Sequence, residues 1–143
     1  MHIYPHPPAD KVRDLLAACK LPTADLDATH FEHFFGCGRE EEPNGVVGVE
    51  LYGKVGLLRS LAVEESTRGH GWGKRLVKEA EQHAARHGVQ TLYLITTTAE
   101  KFFRTLGYAK LDRAVVPEVI RSTTEFSSLC PSSSTVMVKD FGG

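Results

Sequence analysis

The sequence has few cysteines, no long apolar run and almost no excess of charge of either sign. Cys19, Cys37 and Cys130 are its three cysteines, widely spaced and without a Cys-x-x-Cys pair. That excludes a full disulfide framework and the common zinc-ligand spacings, and leaves free thiols as the reading. No apolar stretch approaches the roughly 20 residues that a membrane-spanning helix requires. The opening MHIYPHPPADK lacks the charged and apolar regions of a secretory signal, so a cytoplasmic chain without a membrane partner is expected. With 17 basic against 18 acidic side chains and a formal charge of -1, nothing marks a nucleic-acid surface, and no nucleic-acid partner is expected. The seven histidines are scattered without metal-ligand spacing, so no metal is expected. No internal repeat is visible.

What is present suits one domain. The 143 residues, 41% hydrophobic and 24% charged, suffice to bury a substantial core, and a single domain over residues 1–143 is expected. Residues 2–6 form a short edge strand. Val12, Leu15, Leu16 and Cys19 recur at helical spacing within 9–20, with Asp10 in the first turn and Pro22 as the stop. A second short helix is expected over 24–29, capped by Thr23. Residues 30–36 either continue it or begin a strand. The run REEEPNG, 39–45, reads as an acidic, solvated loop with an Asn-Gly turn, followed by a hairpin of two β-rich stretches, 46–53 and 55–65. In the second, Leu57, Arg59, Leu61 and Val63 share one face and Leu58, Ser60 and Ala62 the other; both faces are largely apolar, which predicts a central strand. A helix over 73–87, closed by Gly88, and a strand over 89–95 predict a crossover to a parallel neighbour. Thr97 and Glu100 have capping-box spacing ahead of a helix carrying Ala99, Phe102, Phe103 and Leu106. The remainder reads as a strand at 108–113, a helix at 116–124, an exposed loop at 127–134 and a closing strand at 135–139.

The stretch RGHGWGKRLV, 68–77, places Gly69, Gly71 and Gly73 on alternate positions directly before an amphipathic helix. Glycine can turn successive N–H groups inward, and with the positive helix end those amides favour a bound anion. Two nucleotide motifs fail here. A dinucleotide fingerprint starting at Gly69 needs glycine where Lys74 stands, and a P-loop needs Ser or Thr where Arg75 follows Gly73 and Lys74.

What remains is a hairpin, a central strand, Arg68-x-x-Gly71-x-Gly73, a helix, a strand, and a helix ending in Leu106, Gly107 and Tyr108. That order, with those residues, resembles the GNAT superfamily of acetyl-CoA-dependent N-acetyltransferases, over nearly the whole chain. Arg68, Gly71 and Gly73 match its pyrophosphate motif; Leu106, Gly107 and Tyr108 match its LGF or LGY segment. More narrowly, LLRSLAV, LYLITTTA and RSTTEFSSLCP resemble the small acetyltransferases of bacterial arsenic-resistance gene clusters. The resemblance implies an α/β (α+β) fold: a mixed, mostly antiparallel sheet with a parallel pair splayed around acetyl-CoA, flanked by helices.

It also implies that main-chain groups of Leu61, Ala62 and Val63 pair with the pantetheine arm. The stretch Arg68, Gly69, His70, Gly71, Trp72, Gly73 and Lys74 would hold the pyrophosphate, and Phe102 and Phe103 would lie beside the cofactor. His70 and Trp72 are expected to point outward, without a catalytic role. A small-molecule amine attacks the thioester, and the oxyanion is stabilised by the N–H of Ala62 or Leu61. Glu50, inside an otherwise apolar strand, is the candidate base, against the alternative of an ordinary solvated strand face. The family often has a tyrosine, which protonates the departing thiolate, where this chain has Phe103. Tyr93, Tyr108 or water would then substitute. Arg59 and Arg121 are candidates for an anionic group of the substrate, each against a structural alternative: an internal salt bridge for Arg59, a surface charge for Arg121. Cys130 either meets a thiophilic arsenical or is a small buried residue. A homodimer is compatible with the exposed strands. The competing reading is a non-catalytic acyl-CoA sensor or partner-binding domain.

Overall fold

The computed structural model describes residues 2–129 and 133–141. Its strands are β1 (Ile3–Pro5), β2 (Phe34–Gly38), β3 (Pro43–Tyr52), β4 (Val55–Val63), β5 (Thr91–Thr96), β6 (Ala109–Leu111) and β7 (Thr135–Asp140). The helices are α1 (Ala9–Ala18), α2 (Ala28–Phe31), α3 (Trp72–Arg86), α4 (Glu100–Thr105) and α5 (Glu118–Arg121). The strands form one sheet in the order β1-β2-β3-β4-β5-β7-β6. β4 and β5 are parallel; β1–β2, β2–β3, β5–β7 and β6–β7 are antiparallel. Among the described residues no helix is long and apolar enough to cross a membrane.

The backbone groups into two compact units, the first comprising residues 1–50 and 58–83, the second 51–57 and 84–143. In the first, the apolar stripe of α1 supplies Val12 and Leu16 to a core shared with Leu26, Phe31, Phe34, Val46 and Ala62. Full burial of a side chain such as Leu16 contributes about 1.5–3 kcal/mol. Packing is tightest where β2 meets β3. Phe34 stands opposite Gly48, and a Cβ on Gly48 would lie 2.4 Å from Cε1 of its ring. Phe34 is itself buried, so the ring cannot swing aside. Gly48→Ala is therefore expected to destabilise by about 1–3 kcal/mol through overpacking, read as a lower urea midpoint at unchanged slope.

The second unit builds its core from Leu57, Val116, Ile120, Phe126 and Val136. β7 inserts between β5 and β6, pairing Thr91 with Asp140 on one edge and Ala109 with Val138 on the other. Gly88 and Gly107 adopt φ +90 and +96 just past α3 and α4, the left-handed stop that glycine permits.

Several local expectations are corrected. The second helix lies at Ala28–Phe31 and is capped by Asp27, whose Oδ1 accepts from the N–H groups of Thr29 (2.9 Å) and His30 (3.2 Å). A carboxylate two and three residues ahead of free amides outcompetes Thr23 as a cap. Asn44 and Gly45 belong to β3 rather than to the preceding turn. Thr97 forms no capping box; the N–H of Ala99 donates instead to Oγ1 of Thr96 at 3.0 Å. The helix expected over 116–124 is the single turn α5 followed by a π-turn at Glu125–Leu129 that buries Phe126. That π-turn takes up the start of the loop expected at 127–134; Cys130 lies outside the described residues.

Candidate functional site

The glycine stretch forms the link between β4 and α3. After β4 the chain makes a 3-10 turn at Glu65–Thr67 and runs exposed through residues 68–71. Gly69 and Gly71 adopt φ +85 and +81, conformations that L side chains avoid, while Gly73 lies in the first turn of α3. Arg75 N–H donates to the Gly71 carbonyl at 3.2 Å and so anchors the helix start. Left-handed residues alternating along a loop turn its amides into a shared concavity, and the 15-residue helix α3 adds its positive end. His70 and Lys74 are exposed, and the Arg75 guanidinium covers the Trp72 ring, its Cζ 4.7 Å from the centroid.

The turn entering this loop is fixed by Glu64, which the sequence reading did not single out. Its Oε1 accepts from Asn44 Nδ2 (2.5 Å), Thr67 Oγ1 (2.9 Å) and Ser66 Oγ (3.2 Å). These bonds, Asn44's first, hold its carboxyl below the ordinary range. Arg68 Nε donates to the Val63 carbonyl at 2.8 Å.

β4 departs from a regular strand at Ser60, whose φ is +59. Arg59 bonds Asp25 in the segment between α1 and α2, and Ala62 belongs to the same core cluster as Val12, Leu16 and Phe31 of those helices. Strict alternation would send residues three apart to opposite faces. The left-handed residue at 60 interrupts that alternation between Arg59 and Ala62. Such a conformation costs a non-glycine residue about 1–2 kcal/mol.

Past Ser60, the backbone direction can be read from two contacts. Glu64 N–H donates to the Asn44 carbonyl of β3 at 2.8 Å, and the Ala62 carbonyl oxygen stands 3.3 Å from where a Cβ on Gly45 would be. Ala62 and Glu64 therefore face β3. Because consecutive residues turn their N–H and C=O to opposite edges, Leu61 and Val63 face away from it. The parallel pairing of β4 ends at Leu57 with Tyr93, although β4 continues to Val63.

Glu50 and Arg59 meet in a buried ionic cluster. The Arg59 side chain is 0% exposed. Its Nη2 donates to Asp25 Oδ1 (2.9 Å), Nη1 to Asp25 Oδ2 (2.5 Å) and Glu50 Oε2 (2.8 Å), and Nε to Ser60 Oγ (3.0 Å). Burial pushes the Asp25 carboxyl up, but the hydrogen bonds and charge of Arg59 outweigh it and leave the group below its ordinary range. His30, 22% exposed, completes the cluster, its Nε2 3.6 Å from Glu50 Oε2 and 3.8 Å from Asp25 Oδ2. Arg59 is thus engaged in ion pairs inside the protein, as in the salt-bridge alternative. Asp25, His30 and Glu50 have ligand-type atoms within 4.8 Å of one another, a spacing a metal ion can span. The same Asp25 and Glu50 oxygens already face the guanidinium, whose charge opposes a cation there. Asp25 and His30 escaped the sequence reading because their partners lie 34 and 20 residues away along the chain; only the Asp27 cap left a local signal.

In the second unit, Phe103 is buried and stacks edge-on against Phe102 (5.1 Å between centroids) and Tyr108 (5.7 Å). Burial, then the nearby Asp140 charge, raises the Tyr93 phenol, which stays protonated at neutral pH. Arg121 is exposed at the end of α5.

A strand with main-chain groups turned off its paired edge runs here into a left-handed glycine loop and a helix N-terminus. The model of the Acetyltransferase (GNAT) family matches residues 3–108. The chain belongs to this family and is an acyltransferase. It is 30% identical to an uncharacterized N-acetyltransferase of Chlorobaculum tepidum over 112 residues, 77% of this chain and 72% of that one. Among solved structures, N-acetylglutamate synthase from Neisseria gonorrhoeae, complexed with coenzyme A and N-acetyl-glutamate, superposes with a TM-score of 0.84 at 17% identity. This chain is covered to 98% but spans only 35% of the synthase's length. A Mycobacterium tuberculosis protein in complex with CoA superposes with a TM-score of 0.78 at 17% identity, covering 99% of both chains. At such identities these structures speak for the fold.

Proposed function

We propose that this chain, acting as one domain over residues 1–143, transfers the acetyl group of acetyl-CoA to the amine of a small molecule by direct attack in a ternary complex. The observation that carries the reading is the pair Gly69 and Gly71 in left-handed conformation at the head of α3, a cradle for the pyrophosphate along residues 68–74. Main-chain groups of Leu61 and Val63 take the pantetheine arm. Of the two amides considered for the oxyanion, that of Leu61 is assigned, because Ala62 faces β3.

An amine with an ordinary pKa near ~10.4 must lose a proton before attack. Glu50 takes it and His30, the more exposed neighbour 3.6 Å away, passes it to water. The thiolate leaves without help from Phe103, since a thiol of pKa about 8.5 is a fair leaving group. Glu50→Gln is expected to lower kcat by about 100-fold or more while the KM for acetyl-CoA stays unchanged; an unchanged kcat removes Glu50 from the chemistry.

The acceptor panel follows from the comparisons and from the sequence. Amino acids belong in it because the Neisseria synthase binds N-acetyl-glutamate, and an arsenic-bearing amine because three segments resemble the arsenic-cluster acetyltransferases. Thiol release from acetyl-CoA is the readout. Binding of CoA without transfer to any amine favours an acyl-CoA sensor, and binding of neither CoA nor acetyl-CoA sinks both readings.

A further inference from the structure

We infer that the buried Asp25–Arg59–Glu50 cluster is a positioning device, which holds Ser60 in its left-handed conformation through Arg59 Nε and thereby aims the Leu61 N–H at the reacting carbonyl. The inference rests on the acetyltransferase reading above.

Arg59 and Ser60 make a contact that a regular strand forbids. Adjacent residues in a strand point to opposite faces, so their side chains do not meet. Yet Arg59 Nε donates to Ser60 Oγ at 3.0 Å, and Ser60 carries φ +59. The bond and the backbone conformation presuppose each other, and serine otherwise gains nothing from the left-handed region.

The guanidinium cannot drift from this position. Its two terminal nitrogens are held by both oxygens of Asp25 and by Oε2 of Glu50, and its side chain is completely buried. Such a fork fixes orientation as well as location. Nε bonds Ser60, the residue directly before Leu61. Burying three charged groups in one cluster is costly compared with apolar packing. A function in backbone aim accounts for keeping them, because an oxyanion donor acts only if it is already directed at the developing charge. Asp25, Arg59 and Ser60 are positioning residues in this account; Leu61 N–H is the group that touches the reacting atoms.

The test uses steady-state kinetics of the full chain with acetyl-CoA and the amine that the panel identifies, for S60A, S60G, D25N and the double variant S60G/D25N. Alanine keeps the size of the site but loses the bond and resists positive φ; glycine also loses the bond but adopts positive φ freely. S60A should lose at least about tenfold in kcat with the KM for acetyl-CoA within twofold of wild type, and S60G should keep about a third of wild-type kcat or more. D25N should lower kcat about fivefold with Ser60 present and less than about twofold in the S60G background, the non-additivity expected if Asp25 acts through residue 60. A merely structural role predicts the same loss in both backgrounds, and that result, or wild-type kcat in S60A, overturns the inference. Should D25N fail to fold, the contrast between S60A and S60G decides alone: equal kcat in the two overturns it. Absence of acetyl transfer by the wild type is a separate outcome, overturning the acetyltransferase reading and this assignment together.

Discussion

Gly71→Val will weaken CoA binding by at least about tenfold while leaving the fold intact. Gly71 has φ +81, and a Cβ built on it meets nothing within 4 Å, so no steric clash threatens the core. The cost is conformational. A left-handed L residue is disfavoured by about 1–2 kcal/mol, and branching at Cβ worsens it. The variant chain escapes by rotating out of that region, and the amides of residues 70–72 then lose their common direction. Since about 1.4 kcal/mol is a factor of ten in affinity, even the lower part of that range is measurable by calorimetric titration with CoA. Thermal unfolding should shift little, in contrast to Gly48→Ala, where the added Cβ collides with a buried ring. Unchanged CoA affinity in Gly71→Val would show that the cradle lies elsewhere.

Arg59→Met is expected to cost about 3–5 kcal/mol of stability at neutral pH, because it leaves Asp25 and Glu50 as two buried carboxylates without their cation. The pH dependence has a definite sign. In the wild type the folded Asp25 carboxyl lies below its unfolded value near ~3.9, its burial outweighed by Arg59. Its contribution is therefore fully present above that value and is lost as pH falls through the folded one. Without the guanidinium, burial, the largest cause, is opposed only by the Asp25 backbone hydrogen bond and the His30 charge, and the folded value rises. The variant's deficit should then be greatest near neutrality and shrink on acidification. Urea denaturation of both proteins at pH 7 and pH 4.5 measures this directly; a deficit that grows at the lower pH would contradict the account of the cluster.

Residues with local consequences were legible in the sequence. The α1 stripe, the Gly88 and Gly107 stops and the glycine loop each depend on neighbours within a few positions, so their spacing already states what they do. The crossover from β4 to β5 was equally readable, because a strand, a helix and a strand joined by short links have few ways to pack. Local competition is where the reading slipped. Asp27 displaced Thr23 as a cap, and α5 shortened because burial of Phe126 favoured a π-turn over a continued helix.

By itself, then, the sequence determined the order of elements, the position of the glycine loop ahead of α3 and the likeness to GNAT acetyltransferases, since all of these are written in short-range patterns and shared motifs. Only the tertiary structure showed what Glu50 and Arg59 touch. Their partners Asp25 and His30 are brought in by chain folding from an unremarkable stretch between two helices, and a charge has no sequence mark for the partner it will find. The same holds for Ser60. A left-handed serine is invisible in a strand-like run, and it becomes intelligible only when Arg59, locked by two distant carboxylates, is seen to hold it.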